Sequence, residues 1–424
     1  MSRLSPSVFK IPADKLRAGY YSDRYFLRTQ DVLSKDGVHI AVGYQFFPRE
    51  DAVICGLDEA IAILKTCVGS YREPALAERL YRELRYAQWN LQDNSFHQRT
   101  RAISRWEKRR TEIRARLNAL WRNGWHKLKV YALQDGVRVR RNEIVLAVVG
   151  DPQLFVPLET PLLGVIARPT ATATAVDRVV KAARGKQILF FSARFDHFWV
   201  QTTDGYAALK AGAFGVSTDA NADYWGVESM GTMPHFLIGC FGGDTAKACL
   251  AFDRAIDSHV NRVALVDWDN DCIGTTRRVL EVLIRQNMAK GTEVTEDFFL
   301  RNARCVCGMG KGKLWGVRFD TSADLKDLSV RSSYGVCAEL VKKARLKFDR
   351  WGCRGLKIVV SGGFDEQKIL DFERQKIPVD AYGIGSSLLR HRIDITADIV
   401  QYQGRPCAKV GRKKGDWSRL RKVY

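Results

Sequence analysis

The sequence predicts an α/β fold built around a barrel of parallel strands. From about residue 186, short apolar runs alternate with helical patterns. The runs are apolar throughout, as expected for parallel strands that helices cover on both faces. Each run also ends in a polar residue or a glycine, and the carboxyl ends of barrel strands are where binding residues gather.

The chain has 424 residues, enough for more than one domain, and an ordinary content of hydrophobic (46%) and charged (27%) residues. We expect a cytoplasmic protein with reduced thiols, without a secretory signal or a membrane span, because no long apolar run and no CxxC pair occur. Its 68 basic and 47 acidic residues give a net charge of +21. This excess suggests polyanionic partners, namely nucleic acid, anionic membrane or phosphorylated small molecules.

The N-terminal part combines a strand-and-helix pattern with a basic helical block. Residues 39–64 predict a strand, a turn and a helix starting near Leu57, and residues 137–166 predict strands and turns. Residues 76–122 predict helices, and the block 71–130 is rich in Arg and Lys. One helical face carries Ile103, Trp106, Ile113, Leu117 and Leu120.

The second part supplies the predicted barrel strands. The runs are QILFFSAR, AFGVST, VESMGTMPH, RVALVDWD, LWGVRFD, LKIVVSGG and VDAYGIGSS. Helices are predicted between them, including DTAKACLAFDRAIDSH and GVCAELVKKARLKF. In the latter, one face carries Val336, Leu340, Val341 and Ala344.

The ends of these runs predict one shared site. The strand-end residues are Arg194, Ser217, His235, Asp267, Asp320, Ser361 with Gly362, and Gly385 with Ser386. A lone histidine such as His235 would be interpreted as a buried or capping residue. Because six other runs end in the same way, we interpret it as one member of a binding site.

The last two runs, VVSGGFDE and AYGIGSSL, have the composition of an anion site. Glycine turns let backbone N–H groups approach a phosphate, and a following helix N-terminus favours negative charge. The alternative is a tight turn that needs glycine for positive φ. Asp267 and Asp320 would hold ribose hydroxyls or a Mg²⁺ ion on pyrophosphate, or else cap helices. DWDND lacks the glycine and glutamate of a calcium-binding loop, so we predict no calcium site there. GMGKGKL lacks the residue order of a P-loop, G-x-x-x-x-G-K-[ST], so we interpret it as an ordinary loop.

These motifs occur in the order found in a known family. The chain resembles the nicotinate phosphoribosyltransferases, especially their archaeal-type branch, through FSAR, GVST, GTMPH, LVD, VRFD, VVSGGFDE, YGIGSSL and GRKKG. The segments ADKLRAGYYSDRYFLRT, GLDEAIAIL and LETPLLGVIA are similar to its N-terminal region. The resemblance implies the irregular, incomplete α/β barrel of type II phosphoribosyltransferases. It divides the chain into an N-terminal α/β domain (1–168, with a basic helical insertion at 71–130), a barrel domain (169–395) and a basic C-terminal segment (396–424) that returns to the N-terminal domain.

The resemblance also implies an activity in NAD biosynthesis. Nicotinate and phosphoribosyl pyrophosphate would give nicotinate mononucleotide and pyrophosphate with Mg²⁺ present. ATP hydrolysis would be coupled through a phosphorylated His235, the histidine of GTMPH. The family forms dimers in which the partner's N-terminal segment completes the active site. No zinc site is implied.

The family's roles fall on particular residues of this chain. Phe191 and Tyr25, the latter in the motif with Asp23, would sandwich the pyridine. Arg194 would pair with the carboxylate, Arg318 would lie beside the base, and Asp320, with Ser217 and Asp267, would contact the rest of the substrate. The phosphate-binding residues would be Ser361, Gly362, Gly363, Gly383, Gly385 and Ser386 for the 5′-phosphate, and Arg412 and Lys413 for pyrophosphate or ATP.

Three departures from the family pattern leave alternatives open. Phe195 stands where a second arginine is frequent, Ser192 replaces a glycine, and Trp268 replaces a threonine. A nicotinamide or quinolinate phosphoribosyltransferase therefore remains an alternative, as does a barrel that binds nucleotide without turnover. From another class, the basic block would bind RNA through Trp89, Trp106, Trp121 and Trp125. We favour the interpretation in which these tryptophans pack inward and the arginines are solvated.

Overall fold

The computed structural model describes residues 3–286, 288 and 293–423. They divide into two compact units, one comprising Met1–Ala171 and Arg392–Tyr424 and the other Thr172–His391. Each unit has its own sheet and its own hydrophobic core. Within the described ranges, no helix is long and apolar enough to span a bilayer.

The secondary structure follows in chain order. The helices are α1 (Ala13–Arg17), α2 (Arg24–Lys35), α3 (Leu57–Cys67), α4 (Pro74–Phe96), α5 (Thr100–Leu120), α6 (Glu159–Ala182), α7 (Gln201–Lys210), α8 (Asp219–Ala222), α9 (His235–Cys240), α10 (Thr245–Ala255), α11 (Cys272–Arg285), α12 (Glu296–Asn302), α13 (Ala338–Arg350) and α14 (Glu366–Arg374). The strands are β1 (Val42–Pro48), β2 (Ala52–Val53), β3 (Gly69–Tyr71), β4 (Trp121–Asn123), β5 (Lys129–Ala132), β6 (Arg138–Val139), β7 (Leu146–Gly150), β8 (Gln187–Phe190), β9 (Gly215–Val216), β10 (Val263–Leu265), β11 (Gly316–Phe319), β12 (Lys357–Val360), β13 (Ala381–Ile384), β14 (Ile395–Tyr402), β15 (Arg405–Pro406) and β16 (Arg421–Lys422).

The first unit is built on an antiparallel sheet with the strand order β15-β14-β1-β7-β5-β16. Strand β1 is buried along its whole length between β14 and β7. Helix α3 buries Leu57, Ile61 and Leu64 in the same core as Phe46 of β1. The strand and helix predicted within residues 39–64 are therefore confirmed.

Helices α4 and α5 form a helical hairpin with a small core of its own. Its apolar positions recur three and four residues apart, so they lie on one face of each helix. Trp106 and Leu120 are partly buried against this core. The core residues are Ala77, Leu80, Ala87, Ile113 and Leu117. The helices predicted within residues 76–122 are confirmed.

The second unit is built on a parallel sheet with the strand order β10-β11-β12-β13-β8-β9. Alternate residues of the strands point to opposite faces, and both faces are covered. Leu189, Val359 and Ala381 pack together on one face. Ile188, Ile358 and their neighbours pack on the other face in the main core with α10, α11 and α13. The predicted parallel sheet and the apolar face of α13 are confirmed, including burial of Leu340, Val341 and Ala344.

Two predictions are wrong: residues 159–166, predicted as strands and turns, form the start of α6, and one predicted barrel strand is absent. Residues 227–234, within the run VESMGTMPH, form no strand and lie where the sheet would have to join β9 to β10. Pro234 lacks an N–H, and it precedes the first residue of α9. The segment is attached by a hydrogen bond from Met230 N to Val216 O (2.7 Å) and by the buried side chain of Met233. His235 therefore begins a short helix and does not end a strand.

Candidate functional site

The strand-end residues of the second unit surround one pocket of about 590 Å³. Parallel strands bring their carboxyl ends to the same edge of a sheet, which explains the convergence. The predicted residues that line the pocket are Phe191, Arg194, Ser217, His235, Arg318, Asp320, Ser361, Gly362, Gly363, Gly383, Gly385 and Ser386.

An aromatic ring forms one wall of the pocket. The ring of Phe191 lies directly above Gly383, where a Cβ atom would come within 2.6 Å of the ring. The guanidinium of Arg318 lies 5.8 Å from the centre of the same ring. The pair offers a flat apolar face and a positive charge side by side, which suits an aromatic anion.

Arg318 is the more enclosed of the two arginines near this wall. Its Nε atom is buried and has no hydrogen-bond partner among the described residues. Burial lowers the pKa of Arg318, while nearby Asp320 and Asp267 raise it and Arg194 lowers it. A buried N–H group without an acceptor is costly, so the site favours a ligand that supplies an oxygen. Arg194, by contrast, is exposed and lies over the ring of Phe195, 5.2 Å from its centre.

Asp320 is held in place by a buried serine. Ser361 Oγ donates to Asp320 Oδ1 at 2.8 Å. The alternative role of Asp267 and Asp320 as helix caps is wrong, since Asp271 caps α11 by accepting from Gly274 N (2.9 Å) and Cys337 is the N-cap residue of α13. Asp320 remains partly exposed in the pocket, and a single carboxylate of this kind fits a Mg²⁺ ion that takes its other ligands from water and substrate phosphates.

The glycine-rich turns are also present. Gly362 and Gly363 have φ angles of +79° and +71°, so the tight-turn explanation holds for both. Asp365 caps the following helix α14 by accepting from Lys368 N at 2.9 Å. Ser386 begins a 3₁₀ turn, and Arg390 lies within 3.5 Å of its Oγ. These groups give the pocket backbone N–H groups and a guanidinium opposite the aromatic wall.

His235 pairs with Asp267 beside the pocket. Its Nε2 atom lies 3.1 Å from both carboxylate oxygens of Asp267, which is itself buried. The hydrogen bond to Asp267 raises the pKa of His235, burial opposes this, and the charge of Asp320 adds to the increase. The imidazole is 43% exposed. No described residue hydrogen-bonds to Nδ1, so this nitrogen is not engaged by the described part of the chain.

Four predicted site residues belong to the other unit. Tyr25 is 58% exposed, and its hydroxyl donates to Asp23 Oδ2 at 3.3 Å. Arg412 forms an ion pair with Asp398 at 3.1 Å, and the backbone oxygen of Lys413 accepts from Gln45 Nε2 at 3.0 Å. Their roles in binding remain predictions.

Several lining residues were not predicted from the sequence. They include Thr218, Thr232, Phe195, Phe236 and Arg390. Thr218 directly follows the predicted Ser217, and Arg390 follows the predicted GIGSSLL run, so wider margins around both motifs would have included them. Phe236 carries no such signal because it looks like an ordinary apolar residue of a helix.

The chain is similar in sequence and fold to known proteins. No family model matches the chain. It is similar to nicotinate phosphoribosyltransferase pncB2 of Mycobacterium tuberculosis (26% identity over 284 residues, 65% of this chain and 52% of that protein). It is also similar to pncB1 of the same organism (30% over 259 residues, 60% of this chain and 49% of that protein). The chain thus spans about half the length of these curated relatives.

Two solved structures resemble the whole fold. A crystal structure of nicotinate-nucleotide pyrophosphorylase from Pyrococcus furiosus matches with a TM-score of 0.67 and 26% identity, covering 96% of this chain and 82% of that chain. Human nicotinic acid phosphoribosyltransferase matches with a TM-score of 0.52 and 17% identity, covering 91% and 75%. The human match shows the shared fold alone.

Proposed function

We propose that the chain, which is similar in sequence to nicotinate phosphoribosyltransferases, makes nicotinate mononucleotide and pyrophosphate from nicotinate and phosphoribosyl pyrophosphate. The observation that carries the proposal is Arg318, which lies beside the ring of Phe191 and whose buried Nε has no partner in the described part of the chain. A guanidinium next to a flat apolar wall suits a small aromatic carboxylate.

The bond changes require positioning and charge stabilisation more than covalent chemistry. The pyridine nitrogen attacks the ribose anomeric carbon, and the bond from that carbon to pyrophosphate breaks, so pyrophosphate leaves with the electron pair. Phe191 and Arg318 would hold the base in line for attack, and Asp320 would stabilise the positive charge that builds on the ribose. Mg²⁺ would neutralise the pyrophosphate.

The loops after β12 and β13 would hold the 5′-phosphate. A Cβ atom on Gly363 would meet nothing within 4 Å, so the backbone there is open to a ligand, and Ser386 with Arg390 lies on the turn after β13. An anion there gains from backbone N–H groups and a guanidinium. The carboxylate of Asp365 lies on the same side and would restrict where the phosphate binds.

His235 would couple the reaction to ATP. In the neutral ring, with its proton on Nε2 toward Asp267, the lone pair of Nδ1 would attack the γ-phosphorus and the bond to ADP would break; hydrolysis of the phosphohistidine would then release phosphate. The hydrogen bond from Nε2 to Asp267 fixes the orientation that this step needs. Tyr25 and Asp23 of a partner subunit, in a homodimer with shared sites, would complete the base-binding wall.

A quinolinate phosphoribosyltransferase is the second candidate. Three guanidinium groups line the pocket, those of Arg194, Arg318 and Arg390. Quinolinate carries two carboxylates, and a second arginine beside Arg318 would be needed to pair with the additional one.

Product analysis of the purified protein tests the proposal. Phosphoribosyl pyrophosphate and Mg²⁺ would be supplied with nicotinate, nicotinamide or quinolinate, each with and without ATP. We expect nicotinate mononucleotide, formed together with ADP, and loss of the ATP dependence in His235→Ala. Product from another pyridine would reassign the substrate, and no product from any base would contradict the proposed activity.

A further inference from the structure

The hairpin of α4 and α5 carries an aromatic surface that the proposed reaction does not use. Tyr86 and Trp89 are 58% and 59% exposed. Their rings are nearly parallel (20°), with centres 6.2 Å apart. Trp106 of α5 meets the ring of Tyr86 edge-on, with the centres 5.6 Å apart. The interpretation in which all tryptophans of this block pack inward is wrong for Trp89.

Three arginines lie beside this surface, and one of them, Arg82, pairs with Glu78 at 2.8 Å. Arg82, Arg85, Tyr86 and Trp89 are three or four residues apart, so they share one face of α4. Neither Arg85 nor Arg105 forms an ion pair within the described ranges, and Arg105 lies over the ring of Trp106 at 5.8 Å.

The helical hairpin as a whole carries a net positive charge. Residues 74–120 contain eleven Arg and Lys and five Asp and Glu. Part of this charge is neutralised internally, as in the pair of Arg109 with Glu83 at 2.7 Å. The remaining positive charges repel one another, and a bound polyanion would relieve this repulsion.

We propose that this face binds single-stranded nucleic acid. Nucleobases stack on exposed flat rings regardless of sequence, and neighbouring arginines contact the phosphates. An anionic membrane would satisfy the charges but would not need two parallel exposed rings. A second copy of the chain would bring like charges together. The combination of stacked aromatics and unpaired arginines therefore favours a single strand.

Fluorescence anisotropy with labelled U₂₀ and dT₂₀ oligonucleotides tests this with the full chain. We expect binding that weakens at least tenfold between 50 and 200 mM salt. Trp89→Ala and Tyr86→Ala should each weaken it about tenfold, whereas Trp89→Phe should retain most of it. The matched control is Tyr334→Ala, since Tyr334 is equally exposed (64%) but lies in the other unit.

The arginines are tested in parallel. Arg85→Gln combined with Arg105→Gln should flatten the salt dependence by about one to two counterions. Lys342→Gln combined with Lys347→Gln removes the same charge from exposed positions on α13 and should change little. Unaltered phosphoribosyl transfer and an unaltered melting temperature would show that the variants fold.

Three results would overturn the proposal. One is equal weakening by Trp89→Ala and Tyr334→Ala. Another is binding to phosphatidylserine vesicles but not to either oligonucleotide. The third is self-association of the protein that Trp89→Ala abolishes. A difference between U₂₀ and dT₂₀ would instead identify RNA or DNA as the preferred strand.

Discussion

The pairing of His235 with Asp267 raises the pKa of the imidazole. Asp267 is buried and close enough for a hydrogen bond, so it favours the charged imidazolium and raises the pKa of His235. The pair stabilises the folded state fully below the ordinary histidine pKa of 6.5. That contribution is lost as pH rises through the raised pKa.

Asp267→Asn should therefore lower the pKa of His235, because the hydrogen bond to the Asp267 carboxylate is the largest cause of the raised pKa. The measurement is an NMR titration of the imidazole Cε1–H signal in the wild type and the variant. Asp269→Asn is the control, since Asp269 lies two residues away and pairs with Arg278 at 2.7 Å. An unchanged His235 pKa in Asp267→Asn would mean that the hydrogen bond does not control protonation.

The sequence predicted which residues lie at the strand ends, but it did not predict their hydrogen-bond partners. Asp320 and Ser361 were both predicted as site residues, yet nothing in their spacing indicated that one donates to the other. The partner of His235 was likewise unpredictable, because 32 residues separate it from Asp267. Contacts between strand ends depend on the order of strands in the sheet, which the local pattern does not contain.

Among the secondary-structure elements, strand β13 determines where the aromatic wall of the pocket can lie, because its residue Gly383 has no side chain. A Cβ atom on Gly383 would lie 2.6 and 2.7 Å from two atoms of the Phe191 ring, so the ring would have to move. Gly383→Ala should displace the ring and raise the KM for the base about threefold to tenfold, the magnitude of an aromatic contact.

Steady-state kinetics on Gly383→Ala would measure this effect. Gly355→Ala is the matched control, because a Cβ there meets nothing within 4 Å and leaves the kinetics unchanged. The KM for phosphoribosyl pyrophosphate should change less than the KM for the base. An unaffected base KM, with normal folding by circular dichroism, would mean that Phe191 does not contact the base.

The strands that are continuous apolar runs and the helix with one apolar face were predictable from the sequence. The segment that ends in GTMPH was not. Lys357–Val360 and Ala381–Ile384 are continuous apolar runs, and α13 has its apolar residues on one face. The run VESMGTMPH contains fewer apolar residues, and it forms a loop in which Met233 is buried and Met230 is partly exposed. Gly231 and Pro234 interrupt the backbone hydrogen bonding that a strand needs. The breakers, more than the hydrophobicity, decide the structure there.

For the whole molecule, the predicted site draws on both units. The pocket itself is formed within the second unit, whereas Asp23 and Tyr25 belong to the first. No sequence pattern states whether such residues act within one chain or across a dimer. The resemblance alone predicted a shared site, and the exposure of Tyr25 is compatible with a role in binding.

Complementation between two inactive variants distinguishes these arrangements. Asp320→Asn disables the pocket, and Tyr25→Ala removes the second stacking face. If Tyr25 serves the partner's pocket, a mixed dimer contains one site with both changes and one intact site. Coexpressed variants that pair at random would then recover about a quarter of the wild-type activity.

The control is each variant coexpressed with itself, which should stay inactive. Differently tagged subunits, purified through both tags, would isolate the mixed dimers and should raise the recovery to about half. If Tyr25 instead acts on the pocket of its own chain, every site in a mixed dimer carries one defect. Activity would then stay at the level of the single variants, and the shared-site proposal would be wrong.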